Sequence, residues 1–161
     1  MQEEQLTELH VQDPNEAILL LGISDGNMKL IEQELGVQVI TRGESIRLVG
    51  ELEKTATAKI LIEQLLKVIR KGININQRDV STALEMNSAG TIEYFAELYD
   101  EEIARNVKGK AIRAKTIGQR EYIQAMRHKD LVFCIGPAGT GKTYLAVVLA
   151  TQALKNGQVK R

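Results

Sequence analysis

The chain has very little cysteine, no long apolar run and no excess of charge of either sign. Its single cysteine, Cys134, excludes an internal disulfide framework, and its place in an apolar stretch predicts a buried thiol. No apolar run approaches the roughly 20 residues that a membrane-spanning helix needs. The first residues, MQEEQ, are acidic and polar, unlike a signal peptide. Basic and acidic residues number 21 each, so no overall basic field argues for nucleic acid. We therefore expect a cytoplasmic protein with no membrane partner.

The most informative motif is a glycine-rich stretch, GPAGTGKT, at residues 136–143. It matches G-x-x-x-x-G-K-[ST], the phosphate-binding P-loop. Glycines at 136, 139 and 141 are expected to adopt positive φ and let backbone N–H groups approach a triphosphate. Lys142 would reach the β- and γ-phosphates, and the Thr143 hydroxyl would hold Mg²⁺. The predicted nucleotide-binding residues of this stretch are Gly136, Pro137, Ala138, Gly139, Thr140, Gly141, Lys142, Thr143 and Tyr144.

The segments on either side of the motif predict a strand and a helix. Residues 131–135 are apolar on both faces, as expected of a buried parallel strand. Residues 144–154 contain neither proline nor glycine, and Asn156-Gly157 then gives a helix stop. Strand, loop and helix in this order are the context that a P-loop requires, which favours a nucleotide site over a plain glycine-rich turn.

Residues 14–72 predict a compact α+β unit. The expected elements, in order, are a buried strand at 17–21, a helix at 27–35 capped by Ser24 or Asp25, strands at 37–40 and 46–49 around a hairpin turn at 42–44, and a helix at 51–71. The long helix should bury Ala58, Ile62, Leu65 and Ile69 on one face. Residues 1–13 are expected to form an N-terminal tail.

Residues 73–115 predict a linker with helices rather than a core of its own. The expected helices lie at 79–86 and 91–104, and the basic residues between 108 and 115 form a connector. The nucleotide motif belongs to a third segment, residues 116–161.

Together these segments resemble the PhoH family of P-loop ATPases. The P-loop, the upstream Thr116-Ile117-Gly118-Gln119 and the Leu98-Tyr99-Asp100 stretch fit this family, and the resemblance covers the chain from about residue 14. It implies an ATPase core similar to that of RNA helicases, with ATP and Mg²⁺ as cofactors and a role in RNA metabolism. It also implies that Gln119 reads the adenine edge, because a side-chain amide both donates and accepts hydrogen bonds. The alternative, that Gln119 is a surface residue or a helix cap, stays open.

The N-terminal unit resembles a KH-like RNA-binding fold. KH domains clamp nucleic-acid backbone with a Gly-x-x-Gly loop. The corresponding stretch here, Gly22-Ile23-Ser24-Asp25-Gly26, has three residues between its glycines and carries an acid that would repel phosphate. RNA binding and a structural or partner-docking role for residues 14–72 therefore both stay open. Basic side chains that could contact phosphates, or that are simply scattered solvated charges, are Arg42, Arg47, Lys108, Lys110, Arg113 and Lys115.

ATP hydrolysis needs more than a P-loop. It requires an acidic strand end for Mg²⁺, a group that orients water, and usually an arginine, yet no Asp or Glu follows Thr143. The expected fold is thus a KH-like α+β domain, a helical linker and the truncated start of an α/β P-loop NTPase domain of the RecA/helicase type. We expect a fragment of a longer ATPase that binds nucleotide at most and holds no catalytic residue.

Two functions from different classes follow. The first is an ATP-binding protein whose full-length form hydrolyses ATP and acts on RNA, with a homo-oligomer as one way to supply the arginine in trans. The second is a non-catalytic RNA- or protein-docking module in which the P-loop is idle.

Overall fold

The computed structural model describes residues 5–160, which fall into two compact units that meet between Ala96 and Glu97. The elements of the first unit are β1 (Gln5–His10), α1 (Pro14–Leu21), α2 (Gly26–Leu35), β2 (Gln38–Arg42), β3 (Ser45–Gly50), α3 (Leu52–Arg70) and α4 (Gln77–Ser88). A 3₁₀ helix over Ile92–Tyr99 spans the boundary, and the second unit contains β4 (Ala104–Arg105), β5 (Ala111–Ile112), α5 (Ile117–His128) and α6 (Lys142–Lys155). None of the helices within residues 5–160 is both long and apolar enough to cross a bilayer.

The first unit is built on an antiparallel sheet with the strand order β1-β3-β2. The hairpin between β2 and β3 turns at Gly43, as the sequence predicts. Along β3, Ile46 and Leu48 are fully buried while Arg47 is only partly covered, which is the two-residue alternation of a sheet with one face on a core. This alternation places the core on the helical side of the sheet.

Helix α3 supplies much of that core. The face predicted from the sequence is confirmed, because Ala58, Ile62 and Leu65 have no exposed surface and Ile69 is 6% exposed. Their spacing follows the i, i+4, i+7 pattern that puts apolar side chains on one helix face. A helix of this length can therefore pack against β1, β3, α1 and α4 at once.

The segment 17–21 is helical, which corrects the predicted buried strand. Asp13 caps α1 by accepting hydrogen bonds from the N–H groups of Asn15 and Glu16, and Pro14 occupies the first turn. Only one face of the helix is covered, since Leu20 has no exposed surface and Ile18 is 65% exposed. A short apolar run does not distinguish strand from buried helix by periodicity alone.

Two other predicted segments differ from the structure. Strand β1 lies inside the stretch expected to be a tail, where it pairs with β3 from Gln5↔Gly50 to His10↔Ser45. The helix expected over 91–104 is a 3₁₀ helix that ends at Tyr99 and is followed by β4. The predicted helix caps Ser24 and Asp25 make no side-chain capping bond to α2, because both have left-handed backbone conformations.

The second unit has a small core of its own. Ile103, Ala114, Ile123 and Leu145 are its buried residues, contributed by the β4–β5 region, α5 and α6. The predicted helix after the P-loop is confirmed as α6, with Asn156 as its C-cap and Gly157 at φ 70°.

The strand predicted at residues 131–135 is not formed. This segment pairs with no strand within residues 5–160, and Leu131, Phe133 and Ile135 are 74%, 84% and 97% exposed. Cys134 is likewise exposed, which corrects the predicted buried thiol. A run that is apolar on both faces is buried only where neighbouring strands and helices cover it, and the described residues bring no such strand alongside.

Candidate functional site

The GPAGTGKT loop leads directly into the N-terminus of α6. Gly139 and Gly141 have φ values of 79° and 85°, in the left-handed region that favours glycine. Gly141 is the N-cap of α6, and the helix begins at Lys142. The positive φ expected for Gly136 is not found; at this position the structure leaves a Cβ only ordinary contacts, with Thr140 Oγ1 at 3.7 Å the nearest atom.

The backbone of the loop presents unused donors. Within residues 5–160, the N–H groups of Gly139 and Gly141 donate to no protein acceptor, while the turn at Ala138 and Gly139 directs the Thr140 N–H towards the Pro137 carbonyl. The first turn of α6 adds the N–H groups of Lys142 and Thr143, which have no intrahelical partner by the geometry of a helix start. A concave set of such donors at a helix N-terminus attracts an anion.

The Lys142 ammonium is folded back onto the loop. Its Nζ donates to the carbonyl oxygens of Gly136 at 2.8 Å and Pro137 at 2.5 Å, and to Thr140 Oγ1 at 3.2 Å. The Thr140 hydroxyl in turn donates to the Pro137 carbonyl at 2.9 Å. The positive charge therefore lies inside the curve of the loop, and these same contacts must be exchanged when Lys142 turns towards a phosphate.

Gln119 lies in the first turn of α5. Its N–H donates to the Thr116 hydroxyl at 3.2 Å, so that Thr116 caps α5. Its side-chain Oε1 accepts from the Lys115 N–H at 2.8 Å, and its Nε2 donates to the Thr140 carbonyl at 3.1 Å. The amide thus joins the segment before α5 to the P-loop.

The loop and the first turn of α5 form the walls of a cleft of about 260 Å³. Predicted residues in its lining are Gln119, Gly136, Pro137, Thr140 and Lys142. Sequence reasoning missed Tyr122 and Leu145, which also line it. Tyr122 could have been found from its spacing, because it follows Gln119 by three residues on the same helix and so shares its face.

The remaining predicted residues lie at the rim of this site. Ala138, Gly139 and Thr143 are exposed, and Tyr144 is 57% exposed. The Thr143 hydroxyl is an exposed hard oxygen at the first turn of α6, of the kind that Mg²⁺ accepts together with phosphate oxygens and water. The described residues contain no group of three His, Cys, Asp or Glu side chains that could hold a metal by themselves, and no acidic side chain lines the cleft within residues 5–160.

A second exposed loop joins α1 to α2 in the first unit. Gly22 has φ 72° and ψ −171°, and Ser24 and Asp25 have left-handed φ values of 53° and 58°. Ile23 is 94% exposed at the tip, and Lys29 Nζ donates to the Ser24 carbonyl at 2.9 Å. The loop therefore projects an apolar side chain beside one acid and one base.

The glycine loop, its lysine and the helix behind it define the class of P-loop sequences. A family model described as "PhoH-like protein" matches residues 111–161. The chain is 53% identical over 151 residues to the PhoH-like protein of Bacillus subtilis (strain 168), an alignment that covers 94% of this chain and 47% of that protein. It is 36% identical to the PhoH-like protein of Synechocystis sp. (strain ATCC 27184), with 95% and 47% covered. It is also 36% identical to that of Mycobacterium tuberculosis (strain ATCC 25618), with 92% and 42% covered.

These matches confirm the predicted resemblance to the PhoH family. The chain spans about half the length of the curated relatives that it matches. No solved structure matches the chain.

Proposed function

We propose that this chain binds Mg-ATP in the cleft between the P-loop and the first turn of α5. The observation that carries the proposal is the set of unused backbone donors at Gly139, Gly141 and the start of α6, with the Lys142 ammonium within the same curve. Backbone N–H groups and a lysine in this arrangement suit a triphosphate, and Thr143 suits the accompanying Mg²⁺. The P-loop belongs to the start of an α/β NTPase domain in this proposal.

Stabilisation by ligand tests the proposal directly. A ligand that binds only the folded state raises the melting temperature, by an amount that grows with its concentration relative to Kd. Mg-ATP should raise the melting temperature of the second unit in the wild-type chain and in Lys155→Ala, which removes a lysine from the last turn of α6. It should not do so in Lys142→Ala. Equal shifts in Lys142→Ala and the wild type would refute binding at the P-loop.

In this proposal the 161-residue chain binds ATP without turning it over. The cleft offers phosphate ligands, but no carboxylate lines it within the described residues, and the reaction needs an acidic group for Mg²⁺ and water. Phosphate release by the purified chain should stay at background, equal to that of Lys142→Ala. Turnover abolished by Lys142→Ala would show that the chain supplies the missing groups itself.

A second candidate function, RNA docking, is favoured by the loop between α1 and α2. KH domains hold nucleic-acid backbone at a loop bounded by glycines, and Gly22 to Gly26 is such a loop, exposed and set between two helices beside an antiparallel sheet. We propose a KH-like unit on this basis, in line with the role in RNA metabolism that the family resemblance implies.

The charge at Asp25 gives this candidate a test. Asp25→Lys and Glu44→Lys make the same change of charge at exposed turns of the first unit. If phosphates lie against the 22–26 loop, Asp25→Lys should strengthen the binding of a single-stranded RNA far more than Glu44→Lys does. The affinity that Asp25→Lys adds should also fall more steeply as salt is added. Equal effects of the two variants would show that the overall charge of the unit changes the affinity, and they would contradict phosphate binding at this loop.

A further inference from the structure

The Gln119 side chain holds the P-loop by its backbone. Its two amide ends are engaged at once, Oε1 by the Lys115 N–H at 2.8 Å and Nε2 by the Thr140 carbonyl at 3.1 Å. The Lys115 N–H lies one residue before the Thr116 cap of α5, so the acceptor end is fixed to a helix start. The donor end then reaches across 21 residues of sequence to the phosphate loop.

Thr140 is the residue through which the loop is held. Its carbonyl accepts from Gln119, while its hydroxyl accepts from Lys142 Nζ and donates to the Pro137 carbonyl. The contact with Gln119 is also close sterically, because a Cβ built on Gly141 would lie 3.2 Å from Gln119 Nε2. The Lys142 contacts must break when the lysine turns to a phosphate. The Gln119 contact need not break, because the Thr140 carbonyl oxygen that it uses accepts no bond from Lys142.

We propose that Gln119 is a positioning residue for the P-loop, which keeps the Thr140 peptide oriented so that the loop N–H groups face the phosphates whatever base the nucleotide carries. The proposal rests on the function proposed for this cleft, and it assigns Gln119 to the phosphate end of the ligand instead of the base. A glutamine that reads adenine affects only adenine nucleotides. A glutamine that orients the loop affects every ligand that has a triphosphate, including one with no base.

The first arm of the test uses three probes with Mg²⁺: ATP, GTP and inorganic tripolyphosphate. Gln119→Met keeps the length of the side chain and removes both hydrogen bonds without adding charge. We expect this variant to lower the affinity for all three probes by a similar factor of about threefold to tenfold, which corresponds to the loss of one or two neutral hydrogen bonds. Gln124→Met, on the same helix but contacting Glu101, should leave all three affinities unchanged. If the affinity for ATP falls while that for tripolyphosphate is unchanged, the proposal is overturned and Gln119 reads the base.

The second arm needs no nucleotide and separates this inference from the proposed function. In the ligand-free chain, ¹⁵N order parameters of the Gly139 and Gly141 amides should lie near the rigid value of about 0.85 and fall towards about 0.6 in Gln119→Met. Gln119→Glu keeps an acceptor for Lys115 and loses the donor to Thr140, so it should loosen the loop equally. A loop that stays rigid in both variants refutes the positioning role even if ATP binds. Failure of the wild type to bind any of the three probes refutes the proposed function, while a loosened loop would still support the contact.

Discussion

The Glu16 carboxylate and the Arg70 guanidinium form a two-point ion pair that ties the start of α1 to the end of α3. Arg70 Nε donates to Oε1 at 2.8 Å and Nη2 donates to Oε2 at 3.1 Å. The Glu16 side chain is 8% exposed, whereas that of Arg70 is 36% exposed. Oε2 also accepts from the Gln12 N–H at 2.8 Å. The nearly buried negative charge of Glu16 is therefore balanced by a cation, Arg70, that is itself partly exposed.

Removal of that partner should destabilise the first unit. Arg70→Met keeps the apolar stem of the side chain and leaves the Glu16 carboxylate buried without its cation. We expect a loss of about 1–3 kcal/mol, less than for a fully buried pair because water reaches the site. Arg78→Met on the exposed face of α4 is the control and should change stability by less than about 0.5 kcal/mol. Urea denaturation of both variants measures the difference, and equal stabilities would contradict this account.

The same pair should make stability depend on pH. The Arg70 guanidinium, with help from the Gln12 N–H and against the effect of burial, lowers the folded-state pKa of Glu16 from its ordinary value of 4.5. A carboxyl with a lowered pKa stabilises the fold fully above its unfolded-state pKa, and this stabilisation is lost as the pH falls through the lower, folded-state value. The stability gap between the wild type and Glu16→Gln should thus be largest near pH 7 and shrink below about pH 4.5.

The gap between the two proteins isolates Glu16 from other groups. The pKa of Glu8 is also lowered, chiefly by the hydrogen bond from the Ser45 hydroxyl, so both proteins retain some acid sensitivity. Denaturation curves at pH 7, 5, 4 and 3 provide the comparison. A gap of the same size at pH 3 and pH 7 would show that ionisation of Glu16 does not stabilise the fold.

The sequence predicted most elements of the first unit, and its errors have local causes. The hairpin and α3 follow from clear periodicity and a glycine turn, and they were confirmed. The five-residue apolar run at 17–21 wrongly predicts a strand in place of helix α1. Asp13-Pro14 and an acidic first turn are the stronger signal, and they indicate a helix start. Among residues 6–10 of β1, Leu9 alone is buried and the apolar Leu6 is 56% exposed, so the apolar residues of this strand do not show the two-residue alternation that would reveal it.

The candidate site was predicted in its residues but not in its connections. The motif gives the loop, Lys142 and the start of α6, because the spacing of a P-loop is itself the signal. Nothing in the sequence shows that the Gln119 amide bonds to the Thr140 carbonyl, since a contact across 21 residues depends on how α5 and α6 pack. The exposure of Cys134 was missed for a related reason: burial of a strand depends on neighbours that the pattern cannot supply.

Gly22 should tolerate a side chain much less well than Gly43. Both have positive φ, at 72° and 60°, but Gly22 also has ψ −171°, a region that is essentially restricted to glycine. A Cβ at Gly22 would lie 2.6 Å from Asn27 Nδ2, whereas nothing lies within 4 Å of one at Gly43. The Asn27 side chain is fixed, because it is buried and donates to the Leu20 carbonyl at 3.1 Å.

We therefore expect Gly43→Ala to cost about 1 kcal/mol of stability, the strain of a left-handed residue. Gly22→Ala should cost at least about 2–3 kcal/mol, since backbone strain and the displacement of Asn27 add. Thermal and urea denaturation of the two variants decide the matter. If Gly43→Ala proves as damaging as Gly22→Ala, the contact with Asn27 contributes nothing.

The second unit has a small core, so shortening the Ile123 side chain should strongly lower the stability of this unit. Ile123 is 2% exposed and packs with Ile103, Ala114 and Leu145, and Leu145 also lines the cleft. Ile123→Ala should cost about 2–5 kcal/mol and weaken Mg-ATP binding through looser packing of α5 on α6. Val147→Ala, at a side chain that is 57% exposed, should leave both quantities nearly unchanged. If Ile123→Ala is destabilised but binds Mg-ATP as tightly as the wild type, the geometry of the cleft does not depend on this core.

Cys134 offers a direct report on the cleft, because it is the single cysteine of the chain and is exposed. Its thiol lines the cleft together with Gly136 and Lys142. A thiol reagent at pH 8 should label one equivalent in the folded protein without denaturant, because the Cys134 side chain is exposed. Saturating Mg-ATP should slow the labelling several-fold in the wild type and not at all in Lys142→Ala, which keeps Cys134 but loses the cation. Slowing of equal size in both proteins would place the nucleotide elsewhere on the chain, and labelling that appears only in denaturant would contradict the exposed position of Cys134.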